Sequence, residues 1–424
     1  MPTDPHFLSA QNPLATADQR AAEDTALRLL ARPELRKARE QAAHLFRWVM
    51  TADLEEEIGE FESFVDEYMF HYALRAANSD PNAPKVVRFM APPHHWFGRD
   101  VPGSRWAGDC PDFIYRTIAV AHGPRYEIRG RATCAQPPTA AYSLMEDRPA
   151  APTILSLLES LDMALEPNGD FTITVDPTPA DGRRNHIQTQ PGVWQIWIRD
   201  ALADWAAQSA NALRVHRLDP PDRDPMSDEE LARWAVRNAL DGVYYMFYLT
   251  RTTQVAPENV IVGPRSPEAL GGLPSQVGAG CPLRIGPDEA VIVTSTTGSA
   301  LFRNAVLTES YWRTLNYGER QTSLTSGQAA ANEDGRVTYV IAHQDPGVHN
   351  WLDTCGRTRV KFGQRWQAFD RSRAPEMPAS TLSVVKLADL ETALPPGVKR
   401  IDAAGRSAQI ARRQAGFRQR FIDS

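Results

Sequence analysis

Apolar and polar positions alternate most cleanly over Arg336–His343, where Val337, Tyr339 and Ile341 share one face and Thr338, Val340 and Ala342 the other. A period of two predicts a strand with at least one buried face. Pro346-Gly347 then breaks the ladder, because proline lacks an N–H and glycine tolerates positive φ. Similar runs predict further strands at Phe113–Val120, Arg125–Thr133, Phe171–Val175, Val193–Ile198, Ala290–Thr296, Ala300–Leu307 and Val360–Phe369. The first two of these are expected to pair as a hairpin around His122-Gly123-Pro124.

Helical spacing takes over elsewhere. Residues 16–76 read as two long helices. One carries Leu35, Ala38, Ala42, Leu45, Phe46 and Val49 after Pro33; the other carries Leu54, Ile58, Phe61, Val65, Tyr68 and Tyr72. Glu55, Glu56, Glu57, Glu60 and Glu62 fall on a solvated face. Ile154–Leu165 and Asp200–Arg217 also read as helices. Ser227 and Glu230 match a capping box. The helix they open carries Leu231, Trp234, Leu240, Tyr244, Tyr245, Phe247 and Tyr248, as core or as the lining of an apolar pocket. Pro- and Gly-rich composition makes Asn78–Asp109 a long ordered loop, with His94-His95-Trp96-Phe97 in it, and residues 252–289 a connector. Helix resumes near Arg406, where Arg406, Arg412, Arg413, Arg418 and Arg420 are expected on a solvated face. No internal repeat stands out beyond a kinship between the two β regions.

These elements define an α+β chain: an antiparallel β-sandwich core with an N-terminal helical region and inserted helices. The expected divisions are a helical region and long loop (1–100), a first β region (101–200), a helical segment and connector (201–275), and a C-terminal β-sandwich region with a basic tail (276–424). Ten Trp, 15 Phe and 11 Tyr in 424 residues supply a sizeable core. A formal net charge of -6 argues against a nucleic-acid partner. The longest apolar run, near Val243–Leu249, is too short to span a bilayer, and the N-terminus has no signal-peptide pattern. A cytoplasmic protein without a membrane partner is expected, and a homodimer stays open. Cys110, Cys134, Cys281 and Cys355 are scattered, so they are expected as reduced packing residues rather than zinc ligands.

Candidate chemistry concentrates in Asp345–Trp366 and the strand before it. His343 and Asp345 are two residues apart, a spacing that projects both side chains from one face of a strand, and His349 follows across the Pro-Gly break. Burial there disfavours charge, which readies a histidine or a carboxylate for proton transfer near neutral pH. Asn350 and Arg365 are hydrogen-bond donors suited to a substrate oxygen. Asp353, with Asn350, is expected to hold the loop as well. Trp312, Tyr317, Trp351 and Trp366 are the candidate apolar walls, joined by Tyr115 and Arg116 as substrate-binding residues. A His343–Asp345–His349 metal site competes with this reading, but its spacing is not diagnostic, so neither metal nor cofactor is expected. There is no G-x-S-x-G, no H-E-x-x-H and no Gly-rich phosphate loop.

The segment from Thr308 to Trp366 resembles the C-terminal signature of the bacterial domain-of-unknown-function family 1214. The resemblance is carried by Trp312, Leu315, Tyr317, His343, Asp345, Pro346, Gly347, Asn350, Trp351, Leu352, Asp353, Gly356, Arg365 and Trp366. A weaker echo lies in Gly108-Asp109-Cys110-Pro111-Asp112 with Tyr115, Tyr126 and Gly130. Members often carry Asn where Cys110 stands and His where Arg357 stands. The resemblance implies a β-sandwich core, and a fold alone does not fix a function. The expected function is a cofactor-independent enzyme of lyase, isomerase or hydratase type. It would use acid–base chemistry on a hydrophobic small molecule, such as an aromatic, terpenoid or steroid compound. The alternative is a non-catalytic β-sandwich that binds carbohydrate or a protein partner.

Overall fold

A computed structural model describes residues 4–49, 59–146, 152–372 and 374–423. Leu54, Ile58 and Glu55–Glu57 lie outside these residues. Three helices open the chain: α1 (Ala17–Leu30), α2 (Pro33–Val49) and α3 (Phe61–Ala77). Two were expected over this stretch. The additional one begins at Thr16, whose hydroxyl accepts from Gln19 N, and Pro33 then opens α2 at a position where its missing N–H costs nothing.

The strands of the first half are β1 (Val87–Phe89), β2 (His94–Trp96), β3 (Arg99–Val101), β4 (Phe113–Ala119), β5 (Tyr126–Arg131) and β6 (Thr139–Glu146). They continue with β7 (Thr153–Glu159), β8 (Asp170–Asp176), β9 (His186–Gln188), β10 (Val193–Ala201) and β11 (Ala212–Arg217). Helix α4 (Asp228–Gln254) intervenes, with both arms of the Ser227–Glu230 capping box formed. After it come β12 (Val262–Arg265), β13 (Val277–Arg284), β14 (Glu289–Ser295), β15 (Ala300–Thr308) and β16 (Ser323–Thr325). Next are β17 (Val337–Ala342), β18 (Trp351–Asp353), β19 (Arg359–Phe369) and β20 (Ser380–Lys386), then α5 (Leu390–Ala393) and α6 (Ala403–Gln419).

Two sandwiches result, and they share one topology. The first pairs a sheet ordered β1-β4-β10-β6-β7 with one ordered β11-β5-β8-β9. The second pairs β12-β13-β19-β15-β16 with β20-β14-β17-β18. Each strand from β4 to β11 has its counterpart nine strands later, and even the parallel pair β8–β9 recurs as β17–β18. Ile118, Ile128, Tyr142, Ile173 and Ile196 fill the first core. Leu283, Val291, Leu307, Tyr339 and Phe362 fill the second. Helices α1 to α4 form a separate apolar layer that also takes in Phe89, Phe113, Tyr115, Trp197 and Phe302 from the sheets.

Several local expectations are corrected. Ile154–Leu165 is not helical: it forms β7 and a 3-10 turn, because pairing with β6 outweighs a helix-compatible pattern. Asp200–Arg217 is the end of β10, a turn, and β11, with Leu213 and Val215 buried in alternation. β4 and β5 are no hairpin; they sit in opposite sheets, and Ile118 and Ile128 meet across the core. Asn78–Asp109 holds three short strands as well as loop. The 252–289 connector contains β12 and β13. Gly280 in β13 lies where an added Cβ would come 2.4 Å from Phe362 O, so its lack of a side chain permits the approach of β19.

The arginine-rich tail is corrected too. Arg406, Arg413 and Arg420 are buried, seven residues apart on one stripe, while Arg412 and Arg418 stay exposed. Arg406 pairs with Asp345 at 2.9 Å and rests on Trp351. Arg413 and Arg420 lie over Trp205, 4.2 and 4.3 Å from the ring centroid. Planar guanidinium groups stack on indole and still reach backbone carbonyls, as Arg420 Nη1 does to Pro111 O at 2.7 Å.

Candidate functional site

β10 and β19 occupy the centre of their five-stranded sheets. On β10, Ile196 and Ile198 enter the first core, so Trp197 and Arg199 project from the other face. On β19, Val360 and Phe362 enter the second core, and Lys361 and Arg365 project away from it. Between these outward faces, under α4, lies a cavity of about 150 Å³. Tyr115, Trp197, Arg199, Tyr245, Trp312 and Arg365 are among its lining residues, and among the described residues no aspartate or glutamate lines it.

The wall is held in unusual backbone conformations. Met90, Ala107 and Trp312 line the cavity with φ of 58°, 49° and 63°, and for a residue as bulky as tryptophan such a φ is rare. Strain of this kind persists only where surrounding contacts fix it, and it clusters at functional sites. Here Gly108 does the fixing. Its N–H donates to Trp312 O at 2.7 Å, and its own carbonyl accepts from Arg365 Nη2 at 2.9 Å. With φ of +77°, and an added Cβ only 2.9 Å from the Trp312 ring, position 108 suits glycine alone.

Electrostatics sets the cavity apart. Arg199 is buried, with Ser143 Oγ at 3.0 Å as its hydrogen-bond partner. Arg365 Nη1 is buried and has no partner. The Lys361 ammonium rests on the Trp312 ring but lines a separate pocket beside Thr250 and Ser310, and burial together with the Arg365 charge pushes its pKa well below the usual lysine value. Burial raises the pKa of Tyr115, so its hydroxyl keeps its proton. The Cys110 thiol is pushed up to about 12, again by burial, which leaves it no nucleophile.

His71 buttresses the wall from behind, stacked on Trp106 at 4.8 Å between ring centroids. Burial, then the Arg75 charge, lowers its pKa well below the usual value, so it is neutral in the fold. The unfolded chain takes up that proton first. Its contribution to stability is therefore complete above pH ~6.5 and falls by about 1.4 kcal/mol per pH unit below it. Asp109, raised to about 6 by burial, acts in the opposite sense, gaining stability as pH falls from there. Urea titrations of wild type and His71→Gln between pH 4.5 and 7.5 isolate the histidine: the difference between them is expected to shrink with acidification. A constant difference would contradict the assignment.

The twelve residues expected at a site do not gather in one place. Tyr115, Trp312 and Arg365 meet at the cavity. His343 and Asp345 share no strand face, because β17 ends at Ala342. His343 donates from Nε2 to Ile285 O at 3.0 Å and accepts at Nδ1 from Thr354 Oγ1 at 3.1 Å. Asp345 is taken by Arg406. His349 lies against Asn350 Oδ1 at 3.0 Å, its pKa lowered chiefly by burial. Asn350 clips three backbone groups, Ala330 N, Ala330 O and Thr338 O. Asp353 accepts from Cys355 N at 2.7 Å and pairs with Arg320 at 2.9 Å. Asp353→Asn is accordingly expected to cost about 1–3 kcal/mol in denaturant titrations; unchanged stability would contradict that role. Trp351 donates to Ala342 O in a small core, Trp366 to Thr296 O in another, and Tyr317 packs with Trp205 and Phe417. Arg116 forms a buried pair with Asp200 at 2.6 Å.

His349 does line a larger groove of about 440 Å³ beside α6. Of its cationic groups, Arg412 is engaged by Asp204 and Arg413 by Gln328 and Ser323, while Lys399 also lines it. Sequence reasoning missed Arg199 and Trp197. The spacing Trp197-x-Arg199, on a strand whose other face is apolar, is the signal that points to them.

No family model matches the chain, and no curated protein matches it. Among solved structures it is similar to an uncharacterized protein from Burkholderia cenocepacia, with a TM-score of 0.71 and 20% identity over 86% of this chain and 99% of that one. The VPA0106 protein from Vibrio parahaemolyticus aligns with a TM-score of 0.42 and 10% identity over 83% of this chain and 100% of that one. At 20% identity the first likeness speaks for the fold alone.

Proposed function

We propose that the protein is a cofactor-independent enzyme of lyase, isomerase or hydratase type that takes a hydrophobic small molecule into the cavity between its sandwiches. The observation that carries this reading is the cavity itself, where aromatic walls, strained backbone and a buried Tyr115 hydroxyl with a raised pKa coincide. Tyr115 is the proton donor in this scheme, since burial keeps its hydroxyl protonated. Arg365 and Arg199 offset negative charge as it develops on the substrate. His343, Asp345 and His349 are left to structural work. One observation favours the binding alternative, the exposed aromatics Trp48, Tyr244 and Tyr248 on α2 and α4. A metabolite-depletion screen with purified protein separates the two. A compound consumed by wild type but not by Tyr115→Phe supports the enzyme; a full screen with no consumption supports the binder.

A further inference from the structure

We infer that the cavity takes a molecule bearing a carboxylate, whose oxygens sit between Arg199 and Arg365 while its apolar body lies against Trp106, Trp197 and Tyr245. The inference rests on the cavity being the substrate site and names the chemistry of what enters it. Two guanidinium groups, each from the central strand of a five-stranded sheet, enter a cavity lined by no acidic side chain among the described residues. Burying cations without a carboxylate in contact is costly and the two arginines repel one another, while Asp112 and Asp109 favour the Arg365 charge only from outside the cavity.

The carboxylates nearest in sequence to the cavity loop are already committed. Asp109 accepts from Thr314 N and Oγ1 at 3.0 and 2.5 Å. Asp112 accepts from Asn304, Trp205 and Ser323 at 2.8, 3.0 and 3.3 Å. Neither lines the cavity. Several other cations around this layer are paired: Arg105 and Arg313 with Glu67, and Arg116 with Asp200. Arg88, Arg413 and Arg420 also lack a carboxylate, but each is stacked on an aromatic ring and bonded to an oxygen. Arg199 and Arg365 also lie over rings, Trp197 and Phe113, and bond Ser143 Oγ and Gly108 O; what sets them apart is that both line one cavity.

Guanidinium groups bind carboxylates through paired, charge-assisted hydrogen bonds, which makes a carboxylate the matching group. Arg365 Nη1 is a buried donor with no partner among the described residues. A volume of about 150 Å³ is of the class that admits a benzene-sized body, so the ligand is a single ring or a branched chain of similar bulk.

The test uses the full chain and three probes of one size: benzoate, cyclohexanecarboxylate and benzamide. Binding is read by tryptophan fluorescence, since Trp106, Trp197 and Trp312 line the cavity, and by the shift in melting temperature. Both carboxylates are expected to bind at least tenfold more tightly than benzamide. Arg199→Gln and Arg365→Gln should each weaken benzoate by about tenfold or more and leave benzamide within about twofold. If a Gln variant fails to fold, Arg199→Lys and Arg365→Lys take its place, with a smaller loss for benzoate expected because charge is kept and the fork is lost. Should those fail too, the wild-type preference for benzoate over benzamide decides. Equal binding of the three probes, or undiminished benzoate binding in the variants, overturns the carboxylate clamp but leaves the cavity as an apolar site. Binding by none of the probes overturns the clamp and the cavity reading together.

Discussion

Glu67→Ala is expected to cost the fold about 3–5 kcal/mol, the range for removing one partner of a buried ion pair. Glu67, on α3, pairs with Arg105, whose Nε donates to Oε2 at 2.9 Å, and with Arg313, whose Nη1 donates to Oε1 at 2.9 Å. All three side chains are largely buried. Arg105 directly precedes Trp106 and Ala107, and Arg313 directly follows Trp312, so one carboxylate anchors both strained segments of the cavity wall. Removing it strands two guanidiniums, of which Arg313 keeps Glu309 at 2.9 Å. Denaturant titration measures the loss, and the same variant should bind cavity ligands more weakly. A loss under about 1 kcal/mol would mean that the arginines find other partners and that the wall does not depend on α3.

Tyr115→Phe is expected to reduce turnover of a substrate by about a hundredfold to ten-thousandfold, the usual cost of deleting a group that transfers a proton. The substitution keeps size and apolar packing, so stability should change little by comparison. Lys361→Met, in the separate pocket beside Thr250, is expected to keep turnover within a few-fold. His343→Ala and His349→Ala are expected to keep turnover within a few-fold. Asp345→Ala should instead lower stability, because Arg406 loses its partner. Normal turnover in Tyr115→Phe, with loss in a histidine variant, would move the chemistry to the groove beside α6.

Much of the architecture is legible in the sequence where one period dominates. β17, β19, β14 and β15 follow from alternation, and α4 from its capping box. What misleads are segments whose pattern fits two structures. Ile154–Leu165 carries apolar residues at spacings a helix accepts, and only its place beside β6 makes it an edge strand. β13 hides among glycines and a proline, although Ala279, Cys281 and Leu283 do alternate. At the site, Tyr115, Trp312 and Arg365 are found among the residues the sequence singles out, yet for different reasons. Proximity in sequence ties His343, Asp345 and His349 together, whereas the fold hands each to a separate partner, Thr354, Arg406 and Asn350. Arg199 and Arg365 are 166 positions apart in the chain. They meet because two sandwiches of equal topology face each other through equivalent strands, which no local pattern announces. The arginines of α6 were hidden for a related reason: a basic run reads as a solvated face until indole rings lie opposite it.

The most direct measurement is a crystal structure of the protein with benzoate or cyclohexanecarboxylate bound. The ring is expected against Trp106, Trp197 and Tyr245, with the carboxylate oxygens within hydrogen-bond distance of Arg199 and Arg365. Water alone in that cavity, or the ligand seated beside His349 and Arg412 in the groove of α6, would contradict the account.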